Sequence, residues 1–309
     1  MIVGLLVKAG ASSDLRYGRD MDNVWMGEFP IGRIGFGAMQ LPGPGVFGPP
    51  RDREAALRVL RTAVELGVNH IDTAQYYGPD VSNELIHEAL WPYPPDLVLV
   101  SKVGARRDDA GGWLPAHTPP ELRAGVEENL RSLDVERLHA VNLRVMPGAT
   151  SGAEGAQFAE QLQAMIELRD EGLIGGVGLS NVSVEQLEFA LQQTPIVCVQ
   201  NSMNLLDRTS VDVLELCTRS DIAFVPFFPL GSGFGEENKV LSSTELRSVA
   251  ESVGAPPTQV ALAWLLGLAP NIALIPGTSS VEHLRENIGS LTVGLDGASR
   301  ALLDSVAAG

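Results

Sequence analysis

Asn69-His70-Ile71-Asp72-Thr73-Ala74-Gln75-Tyr76-Tyr77-Gly78 is a short apolar run that ends in a carboxylate and, five residues later, a phenol. The next apolar run, Leu97-Val98-Leu99-Val100-Ser101-Lys102, closes on an ammonium. Read as two parallel strands, these segments deliver Asp72, Tyr77 and Lys102 to one rim. A free phenol, with a pKa of about 10, is a poor proton donor near neutrality. An adjacent ammonium stabilises the phenolate and lowers that value, and a carboxylate beside the lysine keeps it charged. Such a trio suits protonation of a carbonyl oxygen while hydride arrives at the carbon, which is a general-acid task.

Outward from this stretch, strand-like runs alternate with helical ones from Ile34 onward. The strands are read at 34–37, 70–71, 97–100, 138–143, 174–179, 196–199, 222–225 and 272–275. The helix between the first two shows the pattern: Asp52 precedes Ala56, Val59, Leu60, Ala63 and Leu66 at helical spacing, and Gly67 stops it. Eight buried-looking strands, each followed by a helix and with no compositional break, predict a closed parallel (β/α)8 barrel in a single domain, residues 28–309. A doubly wound open sheet is the alternative. It would want a Gly-x-Gly-x-x-Gly turn after its first strand, and Gly32-Arg33-Ile34-Gly35-Phe36-Gly37 contains none. Residues 1–27 share no period with the rest and read as a disordered extension or a start placed too early, the alternative being a partner-binding tail.

The chain has 309 residues, 45% of them hydrophobic, enough for one barrel of this size. Lys and Arg number 22 against 38 Asp and Glu, a net charge of -16. That balance opposes nucleic-acid binding and points to a small-molecule partner. Cys198 and Cys217 are the only cysteines and have no paired spacing, so buried structural thiols in a reducing compartment are expected, with no metal site. The apolar run at residues 2–7 has no basic region before it and is short for a membrane span, which predicts a cytoplasmic protein.

In a barrel the active site lies at the carboxyl ends of the strands. Gly37-Ala38-Met39 ends the first, where small residues let a ligand approach. Asp72 with Tyr77, then Lys102, then Arg144 follow on the next three. Ser180-Asn181 and Gln200-Asn201 supply donors and acceptors suited to a carboxamide. The seventh strand runs into Phe227-Phe228-Pro229-Leu230-Gly231-Ser232, an aromatic face before a flexible loop. The eighth runs from Ile275 into Pro276-Gly277-Thr278-Ser279-Ser280, a hydroxyl-rich turn at a helix start and hence an anion cradle. Singly, each has a plain structural reading: Asp72 an ion pair with Lys102, Phe227 core, Thr278 a helix cap. Jointly they describe a pocket for a nicotinamide dinucleotide.

Taken together, Asp72-Thr73-Ala74-Gln75-Tyr76-Tyr77-Gly78, Ser101-Lys102, Gly178-Leu179-Ser180-Asn181, Val199-Gln200-Asn201, Pro229-Leu230-Gly231 and Ile275-Pro276-Gly277-Thr278-Ser279-Ser280 with Glu286-Asn287 resemble the aldo-keto reductase family. The resemblance implies a (β/α)8 barrel that binds NADPH without a Rossmann turn and reduces aldehydes or ketones through an Asp, Tyr, Lys and His tetrad. Asp72, Tyr77 and Lys102 match position by position. Arg144 stands where the family usually has histidine. The stretches 38–53, 141–144, 197–201 and 225–231 are similar to the family's bacterial pyridoxal reductase (pyridoxine 4-dehydrogenase) branch, which shares that arginine and works in vitamin B6 metabolism. By this likeness Asp72, Tyr77, Lys102 and Arg144 are catalytic. Gly37, Met39, Ser180, Asn181, Gln200, Phe227, Pro229, Leu230, Gly231, Ser232, Ile275, Gly277, Thr278, Ser279, His283 and Asn287 hold NADPH or NADP. In detail, the resemblance implies that nicotinamide stacks on Phe227, that Ser180, Asn181 and Gln200 take its carboxamide, and that Thr278, Ser279 and His283 take the 2'-phosphate. Tyr76, Trp113 and the 43–48 loop are read as walls of the substrate side. The alternatives are another aldehyde or ketone substrate, a non-catalytic cofactor-binding barrel, and a Schiff-base aldolase with Lys102 as nucleophile.

Overall fold

Chain entry is set by a two-residue turn at Gly27-Glu28. Strands β1 (Asn23–Met26) and β2 (Phe29–Gly32) pair antiparallel across it, with Gly27 at φ 62°. In Asn23-Val24-Trp25-Met26 the side chains alternate exposed and buried, the period of a strand with one face on a core. The computed structural model describes residues 23–146, 154–231 and 238–306. The segment expected to lie outside the barrel up to residue 27 is therefore corrected at its end: the hairpin begins at Asn23, and Val24, Met26 and Ile31 are buried. Residues 1–22 lie outside the description.

The barrel elements follow in order: β3 (Phe36–Gly37), α1 (Arg53–Glu65), β4 (His70–Asp72), α2 (Val81–Leu90), β5 (Val98–Val103), a hairpin of β6 (Ala105–Arg107) and β7 (Trp113–Pro115), and α3 (Pro119–Leu133). Then come β8 (Ala140–Arg144), α4 (Glu154–Asp170), β9 (Val177–Ser180), α5 (Val184–Gln193), β10 (Ile196–Gln200), α6 (Val211–Arg219) and β11 (Ala223–Phe224). Helices α7 (Thr244–Val253), α8 (Pro257–Leu266), α9 (Val281–Gly289) and α10 (Gly297–Asp304) finish the chain. The capping chemistry is local. Asp52 accepts from the Ala55 amide at 2.9 Å, and Thr118 with Glu121 and Ser183 with Gln186 form capping boxes.

The main sheet has the order β11-β10-β9-β8-β5-β4-β3, parallel throughout. Residues 272–274 close it: Ile272 bridges Phe224 and Leu274 bridges Ile34, and the Leu274 carbonyl accepts from the Gly35 amide at 2.7 Å. The eighth staves of the barrel are these bridges, so the (β/α)8 reading holds. The β6–β7 hairpin was not expected, because its three-residue strands are too short to show a period. Two apolar layers result. One lies between strands and helices. The other fills the barrel interior, where Val24, Met26 and Ile31 of the hairpin plug the lower end against Val98, Val100, Ala140, Cys198, Ala223, Val225 and Ala273. Among the described residues no helix is long and apolar enough to cross a membrane.

Candidate active site

Period-2 alternation along β4 and β5 sends Asp72 and Lys102 inward and their neighbours Thr73 and Ser101 outward. Both inward groups are buried, Asp72 to 2% exposure and Lys102 to 4%. The Lys102 ammonium donates to Asp72 Oδ1 and, at 3.1 Å, to the Thr73 carbonyl. The other carboxylate oxygen, Oδ2, accepts from Gln200 Nε2 at 2.6 Å. A buried ion pair is tolerable only when further hydrogen bonds satisfy its remaining groups, and these do so. The outward neighbours are anchored as well. Thr73 Oγ1 donates to Asn83 Oδ1 at 2.8 Å, while Asn83 Nδ2 and Ser101 Oγ both donate to Asn129 Oδ1, at 2.9 and 2.5 Å. A buried polar chain in the helix layer thus fixes the register of the two strands that carry the pair.

Tyr77 follows in a turn closed by its own amide on the Ala74 carbonyl at 3.0 Å. Its ring is buried edge-on to Tyr76, with centroids 5.4 Å apart. The Lys102 ammonium meets this ring at its face, 5.1 Å from the centroid. Arg144, half-buried at the end of β8, donates to Ser180 Oγ at 3.4 Å and lies 5.4 Å from the Phe227 centroid. Burial raises the Tyr77 phenol above its ordinary pKa, the Asp72 charge raises it further, and Arg144 pulls it down. Lys102, expected to acidify the phenol, is paired with Asp72 and meets the Tyr77 ring at its face, while Arg144 pulls the phenol down against burial.

The residues expected to hold a dinucleotide take the following places. Gly37 and Gly277 bring two backbones together: a Cβ on Gly37 would collide with the Ile275 carbonyl, and one on Gly277 would stand 2.7 Å from the Gly37 carbonyl. Ile275 packs inside the barrel with Val225 and Ala273. Ser180 and Gln200 are register partners on β9 and β10. Gln200 Oε1 is buried with no partner, an acceptor aimed at nothing in the described protein. A carboxamide NH2 fits that acceptor, so the residues present suit a nicotinamide. Asn181, at φ 63°, donates to the Val145 carbonyl at 2.8 Å, so its amide nitrogen is already committed. Phe227 is half-buried, edge-on to Phe228 at 5.2 Å. Pro229 is buried, Leu230 leans on the strand–helix core, and Gly231 turns at φ 84°. Ser232 lies outside the described residues. Thr278 Oγ1 accepts from the Ser280 amide at 3.0 Å, and Ser280 Oγ caps α9 on the His283 amide at 3.4 Å. Ser279 and His283 are exposed beside that cap, and Asn287 is buried on the same helix. Met39 packs against the cluster of Val46, Ala74, Tyr76, Tyr77 and Ala105, on the phenol's side.

Sequence reasoning gave Gln200 to the carboxamide and missed its bond to Asp72, a pairing of residues 128 positions apart that no local pattern encodes. It also missed Arg107, whose guanidinium stacks on Trp113 at 4.1 Å. Among the described residues no group of three or more His, Cys, Asp or Glu is placed to hold a metal ion. Lys102, charged and held at two points, is poorly placed to be a free nucleophilic amine.

The aldo/keto reductase family model matches residues 33–308. The chain is 49% identical over 281 residues, 91% of this chain and 96% of the relative, to pyridoxine 4-dehydrogenase of Escherichia coli strain K12. It is 37% identical to an uncharacterized oxidoreductase of Schizosaccharomyces pombe strain 972, over 91% of this chain and 88% of that one. Among solved structures it is similar to a thermostable aldo-keto reductase in complex with the inhibitor epalrestat, with TM-score 0.75 and 30% identity over 90% of this chain and 96% of that one. The fold is shared with an aldo/keto reductase of Klebsiella pneumoniae in complex with NADP and acetate, at TM-score 0.74 and 24% identity, covering 92% and 94% of the two chains. With a parallel barrel closed by eight staves, a buried Asp72–Lys102 pair under a phenol, and a family match that spans all of it, the chain belongs to the aldo/keto reductase family of NADP-dependent carbonyl oxidoreductases.

Proposed function

We propose that this protein reduces pyridoxal to pyridoxine at the rim formed by Asp72, Tyr77, Lys102 and Arg144. The observation that carries the reading is Tyr77 itself: a buried, protonated phenol with Arg144 as its nearby cation and the Asp72–Lys102 pair at its base. The 49% likeness to pyridoxine 4-dehydrogenase supports the choice of substrate.

NADPH, when bound, supplies the hydride. Ser180 and Gln200 would hold its carboxamide, Leu230 and Gly231 with Ser232 would lie along its pyrophosphate, and Gly37 and Gly277 would keep that rim free of side chains. Thr278, Ser279 and His283 would take the 2'-phosphate at the start of α9, where unpaired amides favour an anion, with Asn287 on the adenine. Phe227 would present an aromatic face to the nicotinamide.

Tyr77 donates its proton to the oxygen of the substrate carbonyl, and the raised pKa keeps that proton in place until negative charge develops there. Arg144 stabilises that developing charge and makes the phenolate left behind less costly. Asp72 holds Lys102, and Lys102 presents its charge to the face of the Tyr77 ring. Two buried thiols without a disulfide suit the reducing cytoplasm in which NADPH is maintained.

The test is a panel of aldehydes that includes pyridoxal, run with NADPH and with NADH and followed by loss of reduced-cofactor absorbance. Pyridoxal-dependent oxidation of NADPH by the wild-type chain, lost by at least about 1000-fold in Tyr77→Phe with NADPH binding retained, is the expected result. Undiminished turnover in Tyr77→Phe refutes the role of the phenol.

A further inference from the structure

The 43–48 loop, which packs Val46 into the cluster of Tyr76 and Tyr77, stands in a conformation its sequence disfavours. Val46 has φ 59°, in the left-handed region, where a β-branched side chain is a true outlier and the backbone is strained. It persists because the surroundings over-determine it. The Val46 carbonyl accepts from the Gly78 amide at 3.1 Å and from Arg107 Nη1 at 2.8 Å. Arg107 Nη2 donates to the Gly45 carbonyl at 2.9 Å and to the Gly111 carbonyl at 2.6 Å, and Nε donates to Gly111 at 3.1 Å. The same planar group lies 4.1 Å from the Trp113 centroid and 5.3 Å from that of Phe47. One guanidinium therefore fastens the 43–48 loop to the β6–β7 hairpin, and Gly78 fastens the loop to the segment that carries Tyr77.

What the strain achieves is placement. Val46 is 4% exposed and buried in one cluster with Ala74, Tyr76, Tyr77 and Ala105. Trp113, edge-on to Tyr76 at 5.6 Å, is 39% exposed and leaves aromatic surface open beside that cluster. Arg107 makes four hydrogen bonds, all to carbonyls, and stacks on carbon, so it holds a wall and leaves little donor capacity for a substrate.

We infer that Val46 and Trp113, locked in place by Arg107 as a positioning residue, set the width of the carbonyl pocket and select a flat-ring aldehyde over a small aliphatic one. The inference rests on the reductase reading above and deepens it.

The experiment compares wild type, Arg107→Lys, Arg107→Ala and Val46→Ala. It measures kcat and KM for pyridoxal and for a short unbranched aldehyde, NADPH affinity, and thermal unfolding to establish that each variant is folded. Expected for both Arg107 variants is a fall of about tenfold or more in kcat/KM for pyridoxal, carried mainly by KM, with the short aldehyde and NADPH affinity changed less than about threefold. Lysine should rescue little, since three tetrahedral donors cannot reproduce a planar fork that stacks and bonds at once. Val46→Ala should lower the ratio of pyridoxal to short-aldehyde kcat/KM in the same direction. An active wild type whose ratio is unmoved in all folded variants, or which loses both substrates equally, overturns the selectivity role and leaves the reductase reading intact. A wild type that turns over neither aldehyde removes both.

Discussion

Gln200 donates from Nε2 to Asp72 Oδ2 at 2.6 Å, so the carboxylate that binds the Lys102 ammonium through one oxygen is held through the other from the strand facing it across the barrel. Its own Oε1 is buried and has no partner among the described residues. A single amide therefore stands between the ion pair and the place where a carboxamide fits.

Removing that amide should damage catalysis and cofactor affinity together. A hydrogen bond to a charged group contributes about 1.5–3 kcal/mol, so Gln200→Leu should lower kcat/KM by roughly 10–100-fold and weaken NADPH binding in the same variant. Steady-state kinetics beside a fluorescence titration with NADPH would separate the two losses. Loss of affinity alone would mean that Asp72 does not need its second partner.

Arg144 should govern the alkaline limb of the reduction profile. Burial and Asp72 raise the Tyr77 phenol and Arg144 opposes them, so Arg144→Met removes that opposing charge and pushes the phenol higher still. Loss of the proton donor then moves to higher pH in the reductive direction. The oxidative direction, which needs phenolate as base, should fall by at least about tenfold near neutral pH. A profile that moves to lower pH, or not at all, contradicts this electrostatic role.

His70 should limit acid stability. Its imidazole is fully buried, both nitrogens have no hydrogen-bond partner among the described residues, and burial lowers its pKa from 6.5 to about 4. Between those values the unfolded chain binds a proton that the folded one refuses. The stabilisation is therefore complete above about 6.5 and is lost as pH falls towards 4, by an amount on the order of 3 kcal/mol at the limit. His70→Gln should flatten this part of the curve when denaturant midpoints are measured from pH 7 to pH 4.

Met26 should report on the barrel plug. Its side chain is fully buried at the lower end, so Met26→Ala should cost about 2–5 kcal/mol of unfolding free energy. Trp25, its exposed neighbour on the opposite face, should tolerate alanine within about 0.5 kcal/mol. Equal losses at both positions would mean that the hairpin does not seal the barrel.

The linear chain was enough to determine the alternation of strands and helices, the closure into eight, and the rim on which Asp72, Tyr77, Lys102 and Arg144 stand. Those features follow from local periodicity and from a topology that places every strand end on one face. How each cation stands to the phenol was decided only in three dimensions. Lys102 and Arg144 look alike as charges along the sequence, but one is neutralised by Asp72 and meets a ring face, while the other remains half-buried beside Ser180. The same holds for Gln200 across the barrel, for Asn181 committed to a backbone carbonyl, and for Val46 strained under Arg107. Each depends on contacts between residues 36 to 128 positions apart, whose distance and solvent exclusion exist only after the chain has closed.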